Sequence, residues 1–225
     1  MIVAVGETKK FSGVVTADQI EVRFAYSGKV AKVYKHPGDS VKIGDWLASL
    51  SKKEPQAQLD QELADYERIR AEFEIFVASH ANPGSDREKY EKVQAQAVLN
   101  AAVKSVELAK FRLDDADLKS PVAGTVIVDG GIRPGLNITP GSYPFTILDN
   151  NTFRLVADVD WDDLPLFTPG NSVTVKLSDR KEEASGIILP LIPYPAAKKS
   201  PPQIHVRLSG IPGLLPGLPG EISHT

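Results

Sequence analysis

Histidine is the side chain best suited to proton transfer near neutral pH and to metal ligation, and this 225-residue chain has four: His36, His80, His205 and His224. None has a second histidine at a ligand spacing such as H-x3-H. The lack of cysteine removes disulfides, thiolate metal sites and a cysteine nucleophile. Asp114, Asp115 and Asp117 could gather a cation, but they fall where a helical pattern gives way to a strand and read as a solvated charge cluster. Gly130-Gly131 reads as turn geometry, since no P-loop, G-x-G-x-x-G or G-x-S-x-G motif is present. No residue set points to catalysis, and no metal or cofactor site is expected.

The elements that could position a site are more informative. Ser27–Leu50 (SGKVAKVYKHPGDSVKIGDWLASL) and Pro121–Leu148 (PVAGTVIVDGGIRPGLNITPGSYPFTIL) are similar to each other. Gly28 aligns with Gly124, Val30 with Val126, Pro37-Gly38 with Pro134-Gly135, Gly44 with Gly141 and Leu50 with Leu148. Two short all-β copies predict two halves of one small domain. Whatever divides them must project from it.

That divider is helical in pattern. Leu59, Leu63, Tyr66, Arg70, Phe73 and Val77 recur at the three- and four-residue steps of one helix stripe, with Ile69 able to share the seam at Arg70. Pro55 must lie in the first turn, where a missing N–H is tolerated. Ala81-Asn82-Pro83-Gly84 is a turn by composition. Ser85 and Glu88 then have the S-x-x-E spacing of a capping box, and Tyr90, Val93, Ala97, Leu99, Val103, Val106 and Leu113 carry a second stripe to about Asp115. Two long helices and a short turn predict an antiparallel hairpin over 51–117, each arm about 40 Å long at ~1.5 Å per residue. The charged opposite faces (Asp60, Glu62, Glu67, Arg68, Lys92, Lys104, Lys110) argue against the alternative, a helical pair folded back onto a core.

The rest is β in pattern. Ile20–Phe24 alternates apolar with polar, as do Phe153–Val159 and Ser172–Leu177, and further short strands are predicted at Gly186–Leu189 and Ile204–Leu208. Pro190–Pro202 is a Pro-rich loop, and Ile211–Pro219 is Pro/Gly-rich. Short strands at regular spacing predict a small antiparallel barrel, with residues 11–26 and 150–225 assigned to it. Trp46 and Trp161 are expected in the two β cores. A hydrophobic content of 42% and a net charge of −3 suit a globular protein and give a nucleic-acid partner no electrostatic support. No apolar run reaches the ~20 residues of a membrane span.

The two β halves resemble those of biotinyl/lipoyl-type domains, in which a tight turn between the halves presents a modifiable lysine beside Met or Asp. Here the hairpin takes the place of that turn, the only methionine is Met1, and no Asp-Lys pair occurs. A lipoyl-like domain (27–50 and 118–149) split by a helical hairpin and followed by a β-barrel is similar to the periplasmic adaptors, or membrane fusion proteins, of bacterial efflux and secretion systems (HlyD-like adaptors). FRLVADVDWDDLPLFTPGNSVTVKLSD resembles the first part of their barrel and GLLPGLPGEI the strand-turn that closes it.

The resemblance implies a modular, elongated, non-enzymatic subunit without cofactor. It would bridge an inner-membrane transporter, proton-driven or ATP-driven, to an outer-membrane channel, and self-associate into a ring. Its location would be the periplasm, held at the inner membrane by a segment absent from this chain. Partner contact is expected at the hairpin tip, at Val77, Ser79, His80, Asn82, Ser85, Arg87 and Tyr90. An Arg-x3-Leu-x6-Ser pattern found at the tip of some family members is absent. With Met1 alone, the copper- and silver-handling branch, which uses soft methionine ligands, is disfavoured. Two other functions fit the β halves: a biotinyl/lipoyl-type carrier, against which the missing lysine context argues, and a ligand-binding β-protein with the hairpin as a spacer.

Overall fold

The computed structural model describes residues 9–80, 85–179, 183–191, 201–211 and 213–224; the side chain of His224 is also outside the description. Eight strands, four on each side of the helices, trace the internal repeat. Strands β2 (Gln19–Val22), β3 (Gly28–Val33), β4 (Ser40–Val41) and β5 (Trp46–Leu50) precede the helices. Strands β6 (Asp117–Lys119), β7 (Gly124–Val128), β8 (Asn137–Ile138) and β9 (Phe145–Asp149) follow them. They form two four-stranded sheets, β2-β9-β7-β4 and β6-β5-β3-β8. Exchanging each strand of the first half for its counterpart in the second turns one sheet order into the other, so the halves are related by a pseudo-twofold and swap their short strands β4 and β8.

Hydrogen bonds repeat this symmetry atom for atom. The Gly38 amide donates to the Val126 carbonyl and the Gly135 amide to the Val30 carbonyl, both at 2.8 Å. Gly38 and Gly135 both stand at positive φ (97° and 93°), which glycine adopts without steric cost. The repeat also reaches further than its sequence similarity. β2 is the counterpart of β6, and Phe24 is buried with Val30, Leu47, Leu50, Val126, Ile132, Phe145 and Ile147 in one core. Residues 11–26, assigned to the barrel from the sequence, are therefore shared between two β units, with β2 in the lipoyl-like one.

The barrel is closed and six-stranded, in the order β1-β10-β13-β12-β11-β14. Its strands are β1 (Lys9–Thr16), β10 (Arg154–Asp158), β11 (Ser172–Leu177), β12 (Glu183–Ile188), β13 (Gln203–Leu208) and β14 (Pro219–His224). Alternation decides which side chains face in. Val173, Val175 and Leu177 of β11 and Ile204, Val206 and Leu208 of β13 are buried, while the residues between them are not. Phe153 and Phe167 fill this core, and Phe11 meets Phe167 edge-on at 5.0 Å. Closure removes the free edges of an open sheet.

Neither tryptophan is in a core. Trp161 lies 65% exposed in the turn before a 3-10 segment (Leu164–Leu166). Trp46 is 50% exposed, because β5 turns Leu47 inward and leaves Trp46 against Tyr34, ring centroids 5.6 Å apart.

One buried carboxylate ties two loops of the lipoyl-like unit together. Asp129 accepts from the Gly131 amide at 2.9 Å and lies 3.4 Å from His36 Nδ1 and 3.6 Å from Arg133 Nη1. Burial works to raise its pKa, but the amide, the imidazole and the guanidinium together outweigh it and hold the carboxyl below the usual carboxylate range. A lowered folded-state pKa contributes stability above the unfolded value that is lost as pH falls through the folded one. The stability difference between wild type and Asp129→Asn is therefore expected to be full at neutral pH and to shrink below about pH 4. Parallel urea titrations at pH 7 and pH 3 measure it.

Candidate functional site: the helical hairpin

Helices α1 (Lys53–Ser79) and α2 (Asp86–Asp114) run antiparallel out of the lipoyl-like unit. Pro55 is the third residue of α1, where the amides have no intrahelical acceptor in any case, and its ring is buried at the base. The Glu88 amide donates to Ser85 Oγ at 3.3 Å, which caps α2. Ser51 and Lys52 join β5 to α1, and Asp115 and Ala116 join α2 to β6. These connectors are clamped. The Leu50 amide donates to the Ala116 carbonyl and the Ser51 amide to the Lys29 carbonyl, both at 2.8 Å, and Lys52 pairs with Asp117 at 2.7 Å. Arg112 sits 5.8 Å from the Tyr26 ring centroid and 3.9 Å from Glu54. Asp117 is thus a structural partner of Lys52, and Asp115 caps α2. Among the described residues no three acidic or histidine side chains gather as metal ligands.

The two arms meet along a seam that keeps most of the predicted positions, with Ile69 in place of Arg70, and departs from them at Leu63, Tyr90, Val93 and Ala97. Beyond buried Pro55, the less exposed positions on α1 are Gln58, Leu59, Glu62, Tyr66, Ile69, Phe73, Phe76 and Val77; Leu63 is 39% exposed and Arg70 also faces solvent. On α2 the seam holds Ala95, Leu99, Ala102, Val106, Ala109 and Leu113, with Ala102 and Ala109 buried. Tyr90, Val93 and Ala97, expected on this seam, point the other way, and Tyr90 is 75% exposed. The reason is steric. Arg112 meets Glu54, and Ala95 shares an interhelical cleft of about 330 Å³ with Phe73. An antiparallel register through these contacts puts Ala102 within about half a turn of the level of Tyr66 and Ala109 within about half a turn of the level of Leu59. Bulk comes from α1, so α2 must present small residues there. The signal in the sequence was the heptad Ala95, Ala102, Ala109.

The predicted tip residues divide into inward and outward groups. Val77 and His80 are half-buried, and the His80 ring stacks on Phe76 at 4.6 Å with its Nδ1 3.1 Å from the Phe76 carbonyl. Ser79 is exposed, with Oγ donating to the carbonyls of Ile75 and Phe76. Ser85 serves as the cap. Arg87, its side chain 88% exposed, pairs with Glu91 at 2.8 Å, and Tyr90 stands free of the seam. Asn82 lies outside the described residues. Of the remaining histidines, His36 lies beside Asp129 and His205 in β13, where burial foremost, and then Arg154, lower its pKa; the His224 side chain lies outside the description. No described helix is long and apolar enough to cross a membrane.

A lipoyl-like β unit split by a two-helix hairpin and joined to a closed six-stranded barrel is the fold of the membrane fusion, or periplasmic adaptor, proteins. A MacA-MexA chimera carrying the Pseudomonas aeruginosa MexA α-hairpin superposes with a TM-score of 0.74 over 96% of this chain and 80% of its own, at 21% identity. The membrane fusion protein Spr0693 of Streptococcus pneumoniae gives 0.73 over 95% and 98%, at 19% identity. A candidate efflux transporter from Bacteroides eggerthii gives 0.77 over 96% and 68%, also at 19%. No protein-family model matches the sequence, and no curated protein matches it significantly.

Proposed function

We propose that this chain is the adaptor subunit of a multi-component efflux or secretion system in the cell envelope. It connects an inner-membrane transporter, proton-driven or ATP-driven, to an outer-membrane channel, and works alongside further copies of itself in a ring. The observation that carries the reading is the clamped root of the hairpin: two arms of about 40 Å leave a β unit at the place where a carrier domain would present its lysine, on connectors of two residues each. Such a device transmits position. Its working parts are surfaces, namely the tip (Ser79, Arg87 and Tyr90 outward, with Asn82 between them in sequence) and the flanks of the β units, and any catalysis belongs to the transporter. The three working units are the hairpin (51–117), the lipoyl-like unit and the barrel.

The test is photo-crosslinking in cells from Ser79 and Arg87, both exposed, leaving Ser85 in place as the cap. Capture of an envelope transporter or channel component is the expected result. Capture of neither, from a chain shown to be folded and exported, would overturn the reading.

A further inference from the structure

The lipoyl-like unit carries an aromatic pair on its outer face. Along β5 only Trp46 is exposed, while Leu47 to Leu50 are buried. The chain leaving β3 runs beside it: the Tyr34 amide donates to the Leu47 carbonyl at 2.8 Å, and Tyr34 Oη lies 3.5 Å from Ser49 Oγ. The two rings meet on the solvent side of the sheet, centroids 5.6 Å apart and planes at 49°. Trp46 stands as far before Leu50 as Pro144 stands before the aligned Leu148. Its counterpart across the pseudo-twofold is therefore a proline, and the repeat does not require an aromatic side chain at this place.

Cations bracket the pair. Lys119 of β6 is exposed and stands directly opposite Trp46 in the strand register, on the same face of the sheet. On the other side Lys32 of β3, also exposed, holds its Nζ 4.8 Å from the Tyr34 ring centroid. Among the described residues neither ammonium is paired with a carboxylate. Lys32 already occupies one side of Tyr34, so the half-exposed indole of Trp46 is the open ring. The face thus reads, in order, cation, open ring, second ring, cation.

The chemistry that fits is a sugar chain with acidic members. A pyranose presents C–H bonds that pack on the negatively polarised face of an aromatic ring, and carboxylates on the neighbouring sugars would meet Lys119 and Lys32. A protein partner fits less well, because the buried centre of a protein interface is depleted in lysine and here lysines adjoin both rings. A nucleic-acid strand also stacks on aromatic rings, but it calls for a basic groove that tracks its backbone. Two lysines on a chain of net charge −3 do not make one.

We propose that the Trp46–Tyr34 face binds a polysaccharide in which neutral and carboxylate-bearing sugars alternate, a neutral sugar lying on the Trp46 ring and carboxylates on Lys119 and Lys32. This gives the β unit a ligand of its own, and it stands whether or not the hairpin tip captures envelope components.

Affinity electrophoresis of the full-length chain tests it, with hyaluronate, an alternating polymer of N-acetylglucosamine and glucuronate, cast in native gels. Retardation that grows with hyaluronate concentration is expected, with none in dextran, which is neutral, or in polyglutamate, which has no sugar. Trp46→Ala removes the open ring and should weaken binding about tenfold or more, the loss expected when one stacking ring is removed. Lys32→Gln/Lys119→Gln leaves both rings in place and should weaken binding by a similar factor, with the remainder insensitive to salt. All three side chains are exposed, so these variants should melt with the wild type, which circular dichroism checks. Trp161→Ala is the control for a general aromatic effect. That indole is 65% exposed but lies between Asp160 and Asp162, and its loss should leave retardation unchanged.

Absence of retardation in hyaluronate would overturn the proposal. Equal retardation in dextran would remove the part given to the lysines, and equal retardation in polyglutamate would reduce the face to a patch of charge; either overturns it. A gel shift by oligo(dT) without retardation in hyaluronate would overturn it in favour of nucleic acid. An equal loss from Trp161→Ala would take the site away from Trp46 and overturn it as well.

Discussion

Gly124→Ala is expected to destabilise the lipoyl-like unit strongly, whereas Gly28→Ala, its partner across the pseudo-twofold, is expected to cost little. A Cβ built on Gly124 would stand 2.0 Å from the Leu148 carbonyl oxygen and 3.0 Å from Ile147 Cγ2. Leu148 belongs to β9, which pairs with both β7 and β2. Its carbonyl cannot retreat without opening the ladder at the centre of that sheet. A Cβ on Gly28 meets only the Leu50 side chain, with Cδ1 at 3.0 Å and Cβ and Cγ at 3.5 and 3.6 Å, which a shift of that side chain by a fraction of an ångström relieves.

Overpacking against backbone is expected to cost about 3 kcal/mol or more. At Gly28 the cost should stay under about 1 kcal/mol, partly offset by the lower unfolded-state entropy of alanine. For a separately melting unit of this size the first substitution should lower the midpoint of its transition by about 12–24 °C, at roughly 4–8 °C per kcal/mol. The barrel has its own core and should keep its midpoint. Scanning calorimetry on the two single variants makes the comparison. Equal effects would mean that the two halves approach their facing strands equally closely, against the geometry above.

That asymmetry shows where the sequence stopped being readable. The paired glycines, valines and Pro-Gly turns aligned because each holds a backbone conformation or a core position that both halves need, and the hydrogen bonds at Gly38 and Gly135 repeat accordingly. The counterpart relation of β2 and β6 left no such mark. Gln19-Ile20-Glu21-Val22 and Asp117-Leu118-Lys119 share only a short edge-strand role, which many sequences fill. The strand before the repeat was therefore credited whole to the barrel. Trp46 and Trp161 misled for a related reason: bulk predicts burial on average, but position in a strand or turn decides it. The barrel was legible because β10 and β11 alternate in full view and β12 and β13 are short β runs at regular spacing, and the hairpin because its caps and periodicity are strong. The faces of the hairpin were harder. Two apolar stripes compete on α2, and periodicity alone ranks them by size, which favours the wrong one.

The seam assignment makes the other large prediction. Ala102→Glu is expected to part the hairpin, while Leu63→Asp, on a residue that the sequence alone would have placed at its centre, is expected to change little. Ala102 is 7% exposed and within about half a turn of the level of Tyr66, so a glutamate there must either bury a carboxylate without a partner or push the arms apart. The expected cost is about 2–4 kcal/mol. Leu63 is already 39% exposed, and its replacement should stay within about 0.5 kcal/mol.

The hairpin has little to set against such a loss. Apart from Arg112 with Glu54 at the root, its surface pairs, such as Arg68 with Asp65 and Glu72, Arg70 with Glu74 and Arg87 with Glu91, lie within one helix or the other. They support single helices by a few tenths of a kcal/mol each and do nothing to hold the two arms together. Circular dichroism at 222 nm should therefore show the helical signal of Ala102→Glu melting ahead of the β units, which remain folded. Equal damage from Leu63→Asp would return the seam to the Leu59-Leu63 stripe. The same variant tests the mechanical role. With its root still clamped and its arms parted at mid-length, the tip would no longer be held where a partner could meet it. Crosslinks from Arg87 should then disappear while the barrel and the lipoyl-like unit stay intact, which a binding site confined to the β units would not predict.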